Sequence, residues 1–196
     1  QVPVSVDFER GYAEEPAQVK ENARRLLAAG AVGFNLEDGQ ADGRLSPLEL
    51  QIQKIQALCE LKTELDLPFV INARTCAYWL NIGSEEEKLA EAVRRGNAFA
   101  EAGADCVFVP GAMNQETARA LVSGIHAPLN LILNGVYHDL AGLAKLGVRR
   151  LSTGSGPVRY LCEKAMKMAE KIKAGDADAV LQSTFSYAKA NAFFQK

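Results

Sequence analysis

The sequence lacks the features that would assign it to several specialised classes of protein. Its 196 residues include four cysteines, with no Cys-x-x-Cys pair, so we expect reduced thiols in a cytoplasmic protein and neither a disulfide framework nor a zinc site. The formal net charge of −2 gives no electrostatic reason to expect nucleic acid or a membrane as a partner. No apolar run is long enough to cross a bilayer, and no signal peptide is visible.

Several common chemical signatures are also missing. No Gly-x-Gly-x-x-Gly sequence opens a helix, which weakens a dinucleotide-binding interpretation. No lysine ends a strand-like run, which argues against a Schiff-base aldolase. The two histidines, His126 and His138, have no metal-ligand spacing with other residues. Carboxylates, amides and arginines are the remaining candidates for chemistry.

Apolar runs typical of strands alternate with amphipathic segments typical of helices along most of the chain. The six strand-like runs are 2–6, 31–36, 69–72, 106–109, 129–133 and 148–151. This alternation predicts an α/β fold with a parallel sheet, and hence either a doubly wound sheet or a (β/α)₈ TIM-type barrel. We favour the barrel, because polar residues cluster at the predicted carboxyl ends of the strands, where a barrel carries its active site.

The predicted organisation is a barrel over residues 1–175 and a C-terminal helix over residues 176–196. This helix would pack on the barrel or on a neighbouring subunit. The first strand starts almost at the first residue, which is not Met, and six strands are too few to close the barrel. We therefore expect the first strands of the barrel, and part of the active site, to lie upstream of Gln1.

Three carboxylates are candidates for a metal site. Asp7 and Glu9 stand two residues apart after the first apolar run, so on a strand they would point the same way. Carboxylates this close repel each other unless a cation or a proton neutralises them, and hard oxygen ligands suit Mg²⁺ or Mn²⁺. Glu37 ends the next strand and is expected to converge on the same cation. Asp38 is interpreted as a residue that caps the following turn.

Arg74 follows Ile71-Asn-Ala73 at the end of the third, buried-looking strand. An arginine at the end of a buried strand needs an anionic partner. It could form a structural bridge with Glu37, or bind a substrate carboxylate or phosphonate, and we favour substrate binding. Asn72 and Asn130, also near strand ends, are further candidates. Cys76 is more consistent with packing than with a nucleophilic role.

With these residues assembled, the chain resembles the isocitrate lyase and phosphoenolpyruvate mutase superfamily, and its phosphonomutase-like subgroup in particular. The resemblance extends from Val4 to about Ala165 and rests on six segments in the order of the family. They are Pro3-Val-Ser-Val-Asp-Phe-Glu-Arg-Gly-Tyr12, Ala31-Val-Gly-Phe-Asn-Leu-Glu-Asp38, Ile71-Asn-Ala-Arg-Thr75, Glu101-Ala-Gly-Ala-Asp-Cys-Val-Phe-Val-Pro110, Pro128-Leu-Asn130 and Leu146-Gly-Val-Arg-Arg-Leu-Ser-Thr-Gly154.

The resemblance implies a (β/α)₈ barrel, of which this chain would hold strands three to eight. In the family, Mg²⁺ holds an α-keto or enolate intermediate while a C–C or P–C bond is made or broken. By position, Asp7 is similar to the direct metal ligand, and Glu9 and Glu37 to residues that hold the metal through water. Arg74 and Glu37 are the expected catalytic residues, and Arg74, Asn72 and Asn130 the expected substrate-binding residues. The resemblance also implies a small anionic substrate and a homo-oligomer, a dimer of dimers.

Departures from the family pattern narrow the prediction. Ala13 replaces the last glycine of a Gly-Tyr-Gly turn and would be strained if that position needs a positive φ. Residues 39–47 are short and lack the Lys-Lys-Cys-Gly motif of the isocitrate and methylisocitrate lyases, which argues against both. The leading prediction is a Mg²⁺-dependent lyase or mutase. The alternatives are an oxaloacetate-type hydrolase or decarboxylase, and a non-catalytic barrel that binds a metabolite.

Overall fold

Six strands and five helices alternate along the first three quarters of the chain. The computed structural model describes residues 2–181 and 184–195, and it divides into two compact units, Gln1–Ser152 and Thr153–Lys196. The elements of the first unit are β1 (Ser5–Asp7), α1 (Pro16–Ala28), β2 (Gly33–Glu37), α2 (Leu48–Leu65), β3 (Val70–Arg74), α3 (Glu85–Glu101), β4 (Cys106–Val109), α4 (Gln115–Gly124), β5 (Leu129–Ile132), α5 (Leu140–Leu146) and β6 (Arg150–Ser152).

Each strand lies beside the strand that precedes it in the sequence. All neighbouring pairs are parallel, in the order β1-β2-β3-β4-β5-β6. In a doubly wound sheet the order of the strands reverses at a switch point, so helices cover both faces. In a TIM-type barrel the order never reverses, and crossovers of one hand put all helices on one face. The barrel type of winding is therefore confirmed as a curled half-barrel, in which β1 and β6 form the two edges among the described residues.

The face of the sheet that meets the helices is apolar. Alternate residues of each strand point to this face, and most of them are branched or aromatic. They form one core with residues of the surrounding helices, including Phe34, Leu36, Ile71, Val107, Val109, Leu129, Leu131, Val19, Ile55, Leu58, Phe99 and Leu121. Burial of such a side chain stabilises a fold by about 1.5–3 kcal/mol. This layer fixes the positions at which the strands end, and so positions the residues that follow them.

The predicted elements agree with the structure to within a few residues, but β1 begins later than expected. It spans Ser5–Asp7, whereas the sequence pattern predicted residues 2–6. Pro3 has no N–H group to donate to a neighbouring strand. The pairing with β2 starts where Val32 N donates to Val4 O at 2.9 Å. Asp7 consequently lies on the strand rather than after it.

The helix α5 begins at Leu140. The segment before it is held by the side chain of Asn134. Its Oδ1 accepts hydrogen bonds from Val136 N at 2.8 Å and from Tyr137 N at 3.1 Å. These bonds hold the segment before α5 in a turn, which an asparagine side chain commonly stabilises.

A glycine with a positive φ angle ends the helix before each of three strands. Gly30, Gly103 and Gly147 follow α1, α3 and α5 with φ angles of 100°, 104° and 108°. This left-handed conformation ends a helix and is easiest for glycine. Each glycine therefore turns the chain from a helix into the next strand.

The second unit consists of three helices, α6 (Gly156–Lys173), α7 (Asp178–Leu181) and α8 (Tyr187–Phe194). One helix was predicted over residues 176–196; the described part of this segment forms two short helices, and residues 182, 183 and 196 lie outside the described residues. No residue of α6 or α8 is buried. Within the described ranges, no helix combines the length and the hydropathy needed to span a membrane.

Candidate active site

The carboxyl ends of the strands bring the predicted polar residues into two aligned rows. In the first row, Asp7 lies beside Asn35, and Asn35 lies beside Asn72. Residues two apart on a strand face the same way, so the next row stands one layer further along the same face. That row contains Glu37, Arg74, Phe108, Asn130 and Arg150. Both rows lie on the face of the sheet opposite the helices.

A turn after β1 positions Glu9. Glu37 N donates to Glu9 O at 2.7 Å, and Gly11 N donates to Phe8 O at 2.8 Å. Glu9 and Tyr12 have φ angles of 47° and 52°, a left-handed conformation that is uncommon for residues with side chains. The expectation that Asp7 and Glu9 share a face by strand alternation is therefore wrong for Glu9, because a turn places this carboxylate beside β2.

Ala13 is not strained in this turn. The residues with positive φ in the turn are Glu9, Gly11 and Tyr12, and Ala13 is not among them. The position that requires glycine is Gly11, which has a φ of 85° and where an added Cβ would lie 2.6 Å from Val19 Cγ1. The replacement of the family's last glycine by alanine is thus accommodated without a backbone penalty.

A buried lysine holds the same turn. Lys54 of α2 has no solvent exposure, and its Nζ donates to Arg10 O at 3.1 Å and to Ala13 O at 2.8 Å. Burial lowers the pKa of Lys54, while the Glu14 carboxylate at 3.7 Å opposes this effect. A buried cation is tolerated only when such partners compensate for lost water. Lys54 therefore ties the turn that carries Glu9 to the helix layer.

Glu37 and Arg74 form an ion pair at the centre of the site. Arg74 Nη1 lies 2.7 Å from Glu37 Oε2, and the rings of Trp79 and Phe108 have centroids 5.6 Å and 5.8 Å from Arg74 Cζ. Arg74 Nε is buried and has no hydrogen-bond partner among the described residues. The structural bridge that the sequence suggested thus exists, and one donor of the guanidinium group, Nε, is unpaired within the described residues.

The three carboxylates act on one another. Burial raises the pKa of Glu37, Arg74 lowers it, and Asp7 and Glu9 raise it further by repulsion. Over residues 2–181 and 184–195, no three His, Cys, Asp or Glu side chains converge into a closed metal-binding group. Mg²⁺ usually keeps several water molecules and binds one or two carboxylates directly. A cation held mostly through water molecules does not require its carboxylates to converge in this way.

The two predicted asparagines differ in how well their amides are paired. Asn72 Nδ2 donates to Asn35 Oδ1 at 2.7 Å, but Asn72 Oδ1 is buried and lacks a partner in the described part of the chain. Asn130 Nδ2 donates to Ser152 Oγ at 3.1 Å, and Ser152 Oγ lies 3.3 Å from Asn130 Oδ1. An unpaired buried acceptor costs about 1–3 kcal/mol, so Asn72 gains more from a ligand than Asn130 does.

Asp38 is bonded to residues that surround the site and is not placed to bind a ligand. It is fully buried, and its Oδ1 accepts from Cys76 N at 2.8 Å while Arg95 Nη1 donates to its Oδ2 at 3.1 Å. Arg95 Nη1 also donates to Ser46 O at 2.9 Å. Burial raises the pKa of Asp38, and the bonds from Cys76 and Arg95 counteract it. The structure agrees with the interpretation of Asp38 as a capping residue and extends it to a buried ion pair.

A cavity of about 240 Å³ opens at this end of the sheet. Cys76 is part of its wall, with Sγ 3.9 Å from Glu37 Oε2, and burial raises the pKa of this thiol to about 12. The thiol therefore stays protonated near neutral pH, which fits a packing role better than a nucleophilic one. The cavity is lined by Glu9, Arg10, Glu37, Gly39, Gln40, Ala41, Arg74, Cys76, Trp79 and Leu80.

Comparison with known proteins identifies the family. The sequence pattern of the phosphoenolpyruvate phosphomutase family matches residues 1–173, which is most of the chain. The chain belongs to this family. The superfamily to which the sequence is similar is thereby confirmed, and its members are enzymes that include phosphonomutases and lyases.

Individual relatives are about a quarter to a third identical to this chain over the aligned residues. An uncharacterised protein of Mycobacterium tuberculosis is 33% identical over 174 residues, which cover 88% of this chain and 62% of the relative. An oxaloacetate decarboxylase of Rhodopseudomonas palustris is 27% identical, covering 92% of this chain and 62% of the relative. The chain thus spans about 62% of the length of these two curated relatives.

A solved structure agrees with the fold. The crystal structure of a candidate phosphonomutase from Burkholderia cenocepacia J2315 has a TM-score of 0.79 and 34% sequence identity. The match covers 89% of this chain and 70% of that protein. The half-barrel and its order of strands are therefore shared with a solved member of the family.

Sequence reasoning missed three residues that shape the site. Trp79 forms part of the cavity wall, Lys54 holds the turn after β1, and Arg95 fixes Asp38. The sequence contained a signal for Trp79, because this residue lies in the loop after the strand that ends in Arg74, and loops at this end of a barrel form the active site. The sequence contained no such signal for Lys54 and Arg95, since a lysine or arginine in an amphipathic helix usually lies on the exposed face of that helix.

Proposed function

We propose that this protein is a divalent-cation-dependent lyase or mutase that cleaves or rearranges a C–C or P–C bond in a small α-keto or α-hydroxy carboxylate or phosphonate. The observation that carries the proposal is the Glu37–Arg74 ion pair, which stands beside Asp7 and Glu9 at the carboxyl ends of three adjacent parallel strands. This end of a barrel sheet is where the active site lies. Membership of the phosphoenolpyruvate phosphomutase family supports the same reaction class.

Arg74 would bind the anionic group of the substrate. Glu37 occupies its Nη1, so the guanidinium keeps its orientation, while the unpaired Nε remains available as a donor. A planar guanidinium suits a carboxylate or phosphonate because two donors can contact two oxygens. Asn72 Oδ1 is an unpaired acceptor and would suit the hydroxyl group of an α-hydroxy acid. Asn130 would contribute a further polar contact from the second half of the sheet.

The carboxylates would hold the cation, Asp7 directly and Glu9 and Glu37 through water. Members of the superfamily are typically dependent on a divalent metal ion. When bound, Mg²⁺ or Mn²⁺ would supply positive charge that stabilises the negative charge developing on the keto-acid oxygens. The repulsion that raises the pKa of Glu37 would also be relieved by such a charge.

The chemistry of cleavage sets what the residues must do. When the C–C bond of a hydroxy acid breaks, a base takes the hydroxyl proton and the hydroxyl carbon leaves as a carbonyl group. The electron pair of the bond stays on the other fragment as an enolate, which a proton later neutralises. Arg74 would keep the anionic end of the substrate fixed throughout, so that the bond to be broken stays aligned. Glu37 would act through Arg74 by holding its guanidinium group in place.

A decarboxylase or hydrolase acting on an oxaloacetate-like substrate is the second candidate. It is favoured by the oxaloacetate decarboxylase relative and by the short loop after β2. In this loop Gln40 N donates to Arg44 O at 2.8 Å, and Ser46 N donates to Asp38 O at 2.7 Å, which makes a small closed turn. Such a loop covers less of the cavity than a long one would. A non-catalytic metabolite-binding barrel is the alternative from another class.

The proposal extends to the whole protein. Two further strands would pair with the open edges at β1 and β6 and complete a (β/α)₈ barrel, consistent with the longer relatives. The apolar side chains of α6, which are exposed in the single chain, would be covered in a homo-oligomer, such as a dimer of dimers. The four cysteines are all free thiols, which suits the cytoplasm.

A substrate panel would test the reaction class. The full-length protein would be incubated with Mg²⁺ and with oxaloacetate, phosphonopyruvate or 2,3-dimethylmalate, and products followed by ¹H and ³¹P NMR. We expect Mg²⁺-dependent loss of one of these compounds and no loss after chelation of the cation. Turnover of oxaloacetate alone, with release of CO₂, would select the decarboxylase. Absence of turnover together with Mg²⁺-dependent binding of a panel member would favour the metabolite-binding barrel.

A further inference from the structure

The cavity of the candidate site has two chemically different walls. One wall is charged and contains Glu9, Glu37 and Arg74. The other contains Trp79 and Leu80, whose side chains offer carbon surface to the same space. A site that needed only to bind a fully ionic ligand would have no use for the second wall, because apolar surface next to water is unfavourable unless something covers it.

The backbone holds Trp79 at this wall. The turn that carries it is closed by hydrogen bonds from Leu80 N to Cys76 O at 2.8 Å and from Asn81 N to Tyr78 O at 3.2 Å. The residue before Trp79, Tyr78, is 8% exposed and packs so closely that a Cβ on Gly111 would lie 2.7 Å from its Cβ. The turn is therefore fixed on both sides of a tryptophan that is itself 57% exposed.

The indole ring lies next to the anion-binding group. Its centroid is 5.6 Å from Arg74 Cζ, so the ring and the guanidinium contact each other through a cation–π interaction. A ligand whose carboxylate reaches Arg74 would bring its neighbouring carbon atoms against Trp79 and Leu80. A large exposed aromatic side chain at such a position is typical of residues that gain their stabilisation from a ligand.

We infer that Trp79, together with Leu80, determines specificity for keto acids that carry a short alkyl substituent next to the carbonyl group. This inference rests on the proposed function, because it assumes that Arg74 binds the substrate anion. The described part of the cavity, about 240 Å³, has room for a substituent of a few carbon atoms beside a small keto acid.

Binding of a homologous series tests the inference. Calorimetry would measure the affinity of the full-length protein, in the presence of Mg²⁺, for pyruvate, 2-oxobutyrate and 2-oxo-3-methylbutyrate, with oxalate as the member that has no alkyl group. We expect affinity to rise about fourfold for each added carbon that is buried. Because Trp79 is the only tryptophan in the sequence, its fluorescence provides an independent signal of ligand contact in the native protein.

Variants separate the role of the wall from that of the charged groups. Trp79→Ala should reduce the affinity ratio between 2-oxo-3-methylbutyrate and pyruvate to about one, Trp79→Phe should restore most of it, and Leu80→Ala should lower it partly. Val136→Ala, at an exposed residue outside the cavity, should leave the ratio unchanged. Oxalate binding shows that each variant is folded and keeps its charged wall.

Two outcomes would overturn the inference, and they are distinguishable. In the first outcome, oxalate binds with Mg²⁺, but the affinity does not rise along the keto-acid series, or it rises equally in Trp79→Ala. Trp79 then does not select alkyl groups, while the proposed function is retained. If neither oxalate nor any keto acid binds to the native protein with Mg²⁺, the proposed function fails and this inference fails with it.

Discussion

The two halves of the sheet end in different chemistry. The strands β1–β3 end in charged residues, and among the described residues this half leaves Arg74 Nε and Asn72 Oδ1 without partners. In the second half, Asn130 of β5 and Ser152 at the end of β6 are neutral and bonded to each other. Both halves share one winding and one apolar core, so the fold itself does not require this difference.

The difference bears on the proposed position of the ligand. Buried polar groups in native proteins are nearly always paired, and each unpaired one costs about 1–3 kcal/mol. In the second half Asn130 and Ser152 pair with each other, whereas in the first half Arg74 Nε and Asn72 Oδ1 stay unpaired among the described residues, close to a group of repelling carboxylates. We therefore expect substitutions in the first half to affect binding, and matched substitutions in the second half to affect binding little.

The largest effect is expected from removing the carboxylate of β1. Asp7→Ala should weaken Mg²⁺ binding by about 100-fold or more, because the residue would hold the cation directly. Stability should change by less than about 0.5 kcal/mol, since Asp7 is exposed and its loss relieves repulsion. Titration calorimetry and urea unfolding measure the two quantities, with Asp139→Ala as the control. A variant that unfolds but retains its metal affinity would make the carboxylates structural.

The next effect is expected at the arginine of β3. Arg74→Lys should weaken the binding of oxalate, measured with Mg²⁺, by about 10–100-fold, because an ammonium group cannot reproduce the planar pair of donors. Arg150 stands in the same row in the second half, so Arg150→Lys is the matched control and should change affinity by less than about twofold. Equal effects of the two substitutions would contradict the division of the sheet.

A smaller effect on binding, with a clear effect on stability, is expected from Lys54. Lys54→Met should destabilise the protein by about 2–4 kcal/mol, because Arg10 O and Ala13 O lose their partner, and should weaken Mg²⁺ binding about tenfold through Glu9. Urea unfolding and calorimetry measure the two losses. A loss of stability with unchanged metal affinity would separate the turn from the metal site.

The same residue predicts a pH dependence. Burial lowers the pKa of Lys54 below its ordinary value of 10.5, so the unfolded chain binds more protons at alkaline pH just below 10.5. The contribution of Lys54 to stability therefore increases as the pH rises through this window. Urea unfolding at several alkaline pH values should show the native protein gaining stability relative to Lys54→Met. A constant difference between the two proteins would show that Lys54 keeps its ordinary pKa in the fold.

The smallest effects compare the two asparagines. Asn72→Ala should weaken the binding of an α-hydroxy acid about fivefold, because its free acceptor would be lost. Asn130→Ala should have a smaller effect on affinity and should cost about 1 kcal/mol of stability through the lost bond to Ser152. Calorimetry with malate and Mg²⁺ compares the two variants. A stronger effect of Asn130→Ala would place the ligand nearer to the second half.

Much of this architecture could be predicted from the sequence, because it depends on periodic patterns. Hydrophobic alternation located the six strands, and glycines such as Gly103 located the ends of helices. The ion pair of Arg74 with Glu37 was one of two expectations for that arginine. It could be anticipated because neighbouring parallel strands end at the same edge of the sheet, independently of the loops that follow them.

What escaped prediction depends on contacts between distant residues. Lys54 lies more than 40 positions from the carbonyl groups it binds, and Arg95 lies 57 positions from Asp38. No local pattern distinguishes such a residue from one on a solvated helix face. Glu9 escaped for a different reason, because its left-handed φ of 47° breaks the alternation on which the prediction depended.

The central claim is that the ends of β1–β3 form a cation-dependent site for a keto-acid enolate. It is tested most directly by calorimetric titration of oxalate, a mimic of the pyruvate enolate, into the full-length protein with and without Mg²⁺. We expect oxalate to bind only when Mg²⁺ is present, and Asp7→Ala to abolish this dependence. Binding of oxalate that is equally strong without the cation, or no binding under either condition, would contradict the account.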